Sequence, residues 1–189
     1  MGNILMDESQ LQYKNEVKRA MDFLAQKENT FFLGQSVAYP GNAIYKTLAD
    51  IPAEKKLELP VFEEVQMGMS IGMALEGFVP VSVFPRFNFL LLAMNQLVNH
   101  LDKIPIITKG NWRPKVIIKT MIGSVRPLHP GVQHCGDFTE AFQKLGMQNV
   151  DIMRLDEPDK IFSAYAHAYN RTDGKSTILI EHGDFYSEK

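Results

Sequence analysis

Two carboxylates stand side by side at Glu63-Glu64, directly after Leu59-Pro60-Val61-Phe62, where an extended segment is expected to give way to a helix. A carboxyl group withdrawn from water at such a strand end can share a proton with a heterocycle, and Glu63 is the candidate for that role. The same pair also complements a helix dipole with no further purpose, which suffices for Glu64. A second cluster, His129, His134 and Cys135, falls in the stretch from Ile122 to Gly136, which Gly123, Pro127, Pro130 and Gly131 punctuate. An irregular loop of that length is a functional candidate in its own right. It lacks paired cysteines or an HExxH helix, so no metal site is expected there. Neighbours such as His134 and Cys135 seldom aim at one reacting atom, so a nucleophile and base pair is not expected either. His134 alone, as an acid or base beside an anionic substrate, is the functional reading; a solvated loop histidine is the plain one. Finally, Phe84-Pro85-Arg86-Phe87-Asn88-Phe89 offers three aromatics between a strand and a helix. Phe89 is the one that could present its face to a planar ring, although aromatics at such places more often fill a core.

These residues need a scaffold, and hydrophobic periodicity predicts one. Val17, Ala20, Met21 and Leu24 share one face of an opening helix, followed by a strand at 30–33, a glycine-bearing loop at 34–41 and a short helix at 42–48. An extended segment at 57–61 leads into a helix at 63–76 that Gly77 ends, and a buried strand follows at 79–84. The pattern continues with a helix at 87–101, a strand at 115–121, and the long loop. A helix capped by Asp137, a strand at 150–155, a helix at 158–169 and a strand at 177–181 complete it. Such alternation predicts a three-layer α/β/α fold with a mainly parallel sheet, in which ligands meet the carboxyl ends of strands. Residues 1–189 are read as one domain. Within the helix at 63–76, Gly68 and Gly72 stand four apart, with Ser70 and Ala74 offset by two. Interior helix glycines each cost about 1 kcal/mol relative to alanine, so close approach by another helix, from this chain or from a second subunit, is expected.

Composition narrows the function classes. The 189 residues carry a net charge of −2 with lysines and arginines spread along the chain, giving no field that favours nucleic acid or an anionic membrane. The most apolar stretch, Phe87 to Leu92, runs into Asn95, Gln96, Asn99 and His100, too polar to cross a bilayer. Met1 to Gln12 has no basic stretch followed by an apolar run, so a secretory signal is not expected. The single cysteine, Cys135, fits a reducing, cytoplasmic location and excludes an intrachain disulfide.

Taken in order, Leu33-Gly34-Gln35, Pro60-Val61-Phe62-Glu63, Gly68 to Gly77, Phe87-Asn88-Phe89 with Asn95-Gln96, and Gln133-His134 form a set. From about Thr30 to Phe185 the chain resembles the pyrimidine-binding domain of transketolase-like thiamine-diphosphate enzymes, most closely the beta subunit of the decarboxylating component of 2-oxo acid dehydrogenases. The resemblance implies a thiamine-diphosphate-binding fold. It places Glu63 on the glutamate that shares a proton with the aminopyrimidine ring nitrogen and so promotes loss of the thiazolium proton. It places Phe89 on the aromatic against the pyrimidine, with Phe87 beside it as a further cofactor contact, and His134 on the histidine facing substrate; Asn95 and Gln96 read as structural.

In that family a Gly-Asp-Gly segment of another domain holds the diphosphate and its Mg2+, and this sequence contains none. A partner subunit carrying that motif is therefore implied, in a heterotetramer acting on a 2-oxo acid. A split ketol transferase using a ketose phosphate, or a non-catalytic homologue, is the alternative. The family's beta subunits continue into a further domain, so docking onto a multienzyme complex is not expected. Gln35 stands where a glutamate is common, Cys135 replaces a common serine, and the glycine-rich loop has become 123–131, with Arg126 and His129 near the expected mouth.

Overall fold

A computed structural model describes residues 8–126 and 128–186; most of the N-terminal stretch considered for a signal lies outside them. The helix α1 (Glu8–Ala25) leads into β1 (Thr30–Gly34), then β2 (Lys56–Glu58), α2 (Glu63–Leu75) and β3 (Val79–Phe84). A helical path follows through α3 (Phe87–Leu90) and α4 (Ile104–Ile107), after which come β4 (Ile117–Ile122), α5 (Thr139–Lys144), β5 (Val150–Arg154), α6 (Pro158–Asn170) and β6 (Ser176–His182).

The six strands form one sheet in the order β2-β1-β3-β4-β6-β5, with every pairing parallel. Parallel strands need crossovers, and the helices that supply them cover both faces. On one face α1 buries Val17, Ala20, Met21 and Leu24, as their spacing predicts, together with Ile161, Ala164, Tyr165 and Ala168 of α6. On the other, Met67 and Ile71 of α2 pack with Phe84, Phe87, Leu90, Leu97 and Phe142. Ile117 and Leu179 face the first core, Ile118, Ile178 and Ile180 the second, so these strands are apolar at successive positions instead of alternating with polar ones.

Two expectations change in detail, and one element is new. The extended stretch at 57–61 is a three-residue edge strand, β2, that ends at Glu58. The helix expected at 87–101 is not uniform: α3 passes through a 3₁₀ turn at Leu91–Ala93 into a π segment at Gln96–Leu101. The short α4, absent from the sequence reading, carries Pro105 in its first turn, where proline is tolerated because the missing N–H has no intrahelical acceptor. Among the described residues no helix is long and apolar enough to cross a membrane.

Candidate functional site

The chain leaves β1, pairs β2 on one side, and returns through α2 to place β3 on the other side of β1. This reversal makes a topological switch point at the carboxyl ends of β1 and β3, where the crevice of open α/β sheets takes ligands. Gly34 makes the turn possible: its φ is +143°, and a Cβ there would lie 2.2 Å from the Val83 carbonyl oxygen. The loop beyond it is held by Glu58, whose carboxylate accepts the backbone N–H groups of Ser36 at 2.6 Å, Val37 at 2.8 Å and Ala38 at 2.7 Å. Ser36 is thereby kept at a φ of +57°, in the left-handed region. Glu58 was missed in the sequence because nothing in its spacing announces that three amides converge on it.

Glu63 is the first residue of α2 and only 4% exposed. Gln35, one residue past β1, donates from Nε2 to Glu63 Oε1 at 3.0 Å. Oε2 has no hydrogen-bond partner among the described residues. One turn on, buried Gln66 donates to Ser82 Oγ at 3.1 Å and to the Val83 carbonyl at 3.0 Å, tying α2 to β3. Glu64, by contrast, is exposed and accepts from Asn95 Nδ2 at 3.0 Å, which gives both residues a structural use.

Phe89 and His134 come together from α3 and the long loop, with ring centroids 5.6 Å apart and planes at 90°. Both rings are half-buried, and His134 Nδ1 is buried with no partner among the described residues. Arg86 fixes this corner, since its Nη1 donates to the carbonyls of Gly123 at 2.6 Å and His134 at 2.9 Å. Burial pushes the Arg86 guanidinium below its ordinary value, with Cys135 and Asp184 pulling the other way. The Asn88 side chain adds a clamp, accepting the Gly136 N–H at 3.0 Å.

Phe87 departs from its expected place beside the cofactor. Its ring is fully buried, with Phe138 and Phe142 edge-on at 5.6 and 4.8 Å, because the first residue of α3 points into the second core. It supports the site from within and offers no face to a ligand. His129 Nδ1 is engaged by the Gly131 N–H at 3.0 Å, and Cys135 Sγ donates to the Gly131 carbonyl at 3.4 Å, so both serve the loop itself. Among the described residues no group of three His, Cys, Asp or Glu side chains could hold a metal ion.

Beside this crevice, the outer face of α2 is apolar and open. Val61 is 72%, Phe62 61%, Val65 48% and Met69 37% exposed. A groove of about 510 Å³ is lined by Phe62, Glu64, Val65, Gly68, Met69 and Gln96. A Cβ on Gly68 would meet only Gln96, at 3.8 Å, and one on Gly72 would meet nothing within 4 Å. Among the described residues the helix glycines therefore answer no packing need.

No family model matches the sequence. The chain is 30% identical over 178 residues to the pyruvate dehydrogenase E1 component subunit beta of Gracilaria tenuistipitata var. liui, covering 92% of this chain and 53% of that protein. It is 31% identical over 133 residues to the 3-methyl-2-oxobutanoate dehydrogenase subunit beta of Mycobacterium tuberculosis, covering 67% of this chain and 36% of that protein. The chain thus spans about half or less of the length of these relatives. Among solved structures, a split-gene transketolase in an inactive beta4 tetramer superposes with a TM-score of 0.62 at 14% identity, over 90% of this chain and 51% of that one. The three-layer architecture is that of thiamine-diphosphate-dependent enzymes.

Proposed function

Because this chain is a homologue of the beta subunits of 2-oxo acid dehydrogenases, we propose that it is the pyrimidine-binding domain of a thiamine-diphosphate-dependent enzyme acting on a 2-oxo acid, completed by a separate chain. The observation that carries this reading is Glu63. It is a carboxylate 4% exposed at the sheet's switch point, oriented through one oxygen by Gln35 and free at the other to meet a ring nitrogen. Thiamine diphosphate held there would supply a nucleophilic carbon for the substrate carbonyl and an electron sink for decarboxylation. Glu63 holds a proton at the pyrimidine nitrogen, and the half-buried Phe89 ring supplies apolar contact to that heterocycle. His134, its unpaired Nδ1 withdrawn from bulk water, gives or takes a proton at the substrate.

The partner brings Mg2+ and the Gly-Asp-Gly segment, and meets the open face of α2 in a heterotetramer. We place the assembly in the cytoplasm, on the strength of the single Cys135. Ketol transfer is the competing reaction on this fold; sequence kinship with two 2-oxo acid dehydrogenase subunits weighs against it.

The test is calorimetric titration of thiamine diphosphate and Mg2+ into the chain alone and into its complex with a candidate subunit carrying Gly-Asp-Gly. Binding by the complex only is expected, and tight binding by the chain alone overturns the shared site. In the complex, Glu63→Gln should lower turnover of a 2-oxo acid by roughly 100-fold or more with assembly intact. Unchanged turnover removes Glu63 from the mechanism.

A further inference from the structure

A second recess, of about 290 Å³, opens at the carboxyl ends of β4 and β6, with Lys46, Arg86, Ser124, Arg126 and Tyr186 in its lining. Neither Glu63, Phe89 nor His134 lines it. Arg86 connects the two places, because it lines the recess while its Nη1 binds the His134 carbonyl.

Three of the lining residues are cations, and they are not spent alike. Arg86 is anchored by the carbonyls of Gly123 and His134, which fixes its guanidinium in position. The Lys46 ammonium and the Arg126 guanidinium have no ion-pair or hydrogen-bond partner among the described residues. The adjoining acid, Asp184, accepts the N–H groups of Val125 at 2.9 Å and Arg126 at 3.1 Å, so it holds the segment that presents Arg126. The described lining thus carries three cations and no acidic side chain. Tyr186 closes the recess from within: the residue is 1% exposed, and its hydroxyl is buried with no partner among the described residues.

We infer that this recess binds the phosphoryl group of a small phosphate monoester, with Lys46, Arg86 and Arg126 as its counter-charges. A phosphoryl dianion offers three oxygens to planar guanidinium forks and an ammonium, whereas a carboxylate offers two and half the charge. Ser124 supplies a further hydroxyl, and Ala43, Leu128 and Pro130 form an apolar wall against which a short carbon chain can lie. The volume suits a molecule of a few carbons, below the usual range for larger ligands. This inference stands on its own cavity and does not depend on thiamine diphosphate.

Inorganic phosphate, glycerol 3-phosphate and pyruvate, titrated separately into the intact chain by calorimetry at low salt, test it. Lys46→Ala and Arg126→Ala are the informative variants, since both side chains are exposed and make no ion pair or hydrogen bond among the described residues; thermal melts check that both fold. Glycerol 3-phosphate should bind, and each variant should weaken it at least tenfold, while Glu63→Gln leaves it unchanged. Tighter binding of glycerol 3-phosphate than of inorganic phosphate identifies a monoester as the occupant; equal affinity overturns the monoester and leaves free phosphate. Pyruvate binding more tightly than either overturns the phosphoryl assignment. Absence of binding, or binding indifferent to both variants, overturns the site.

Discussion

At the end of β1 a single hydrogen separates a working crevice from a steric conflict. A methyl group on Gly34 would sit 2.2 Å from the Val83 carbonyl oxygen and 2.9 Å from Gln66 Nε2. The first neighbour is backbone of the adjacent strand and cannot rotate away, and the second already bonds that same carbonyl. Gly34→Ala should therefore cost about 3 kcal/mol in urea unfolding, with the loss concentrated in the β1 to β3 pairing as read by amide exchange. A variant of native stability would show that the strands can spread, which would weaken the case that this turn aims Gln35 at Glu63. The sequence marked Gly34 as a loop glycine and Gln35 as a departure from a common glutamate. It could not show that Gln35 meets Glu63, because that contact joins residues 28 apart across the switch point. Phe87 and Phe89 teach the same point differently. Two residues apart near a helix start, they point to different surroundings, and their roles separate only once the first residue of α3 is known.

Among the elements, α2 carries the clearest conflict between local and global demands. Gly72 lies in the interior of a 13-residue helix, is exposed, and has open space where a side chain would be. Helix propensity alone favours alanine there, by about 0.8–1 kcal/mol. Gly72→Ala should stabilise the isolated chain by up to that amount while weakening association with the proposed diphosphate-binding subunit, measured by sedimentation of the mixed chains. Stabilisation with undiminished association would mean that the partner does not approach α2 at this point. The smooth face was legible in the sequence through the four-residue spacing of Gly68 and Gly72, since glycines at that spacing lie on one helical face. The path from Phe87 to Ile107 was not. An apolar run predicts helix but does not report its winding, and the π segment at Gln96–Leu101 has no residue signature of its own.

At the scale of the whole molecule, the sheet is held between its two cores by apolar contact and, between β4 and β6, by a fully buried charge pair. Lys119 of β4 and Glu181 of β6 lie on neighbouring strands, both 0% exposed, with Nζ and Oε2 2.5 Å apart. Tyr165 of α6 donates its hydroxyl to the other oxygen of Glu181, and the Lys119 ammonium lies 5.8 Å from the ring centroids of Tyr165 and Tyr186. Burial pushes the Lys119 ammonium below its ordinary value, Glu181 pulls it back, and burial pushes the Tyr165 hydroxyl well up. The strand at 115–121 read as a β-branched core strand, and nothing in that pattern shows that Lys119 turns inward. A buried pair of this kind gains little over apolar residues of the same size, yet losing one member strands the other charge in the core. Lys119→Met should thus destabilise the chain by about 3–5 kcal/mol in urea unfolding, far more than the methylenes it replaces would suggest. Lys119→Met combined with Glu181→Leu should recover part of that loss, less the cost of leaving the Tyr165 hydroxyl without its acceptor. If the double substitution were as unstable as the sum of the singles, the two charges would not be coupled. The link they form between β4, β6 and α6 would then rest on packing alone.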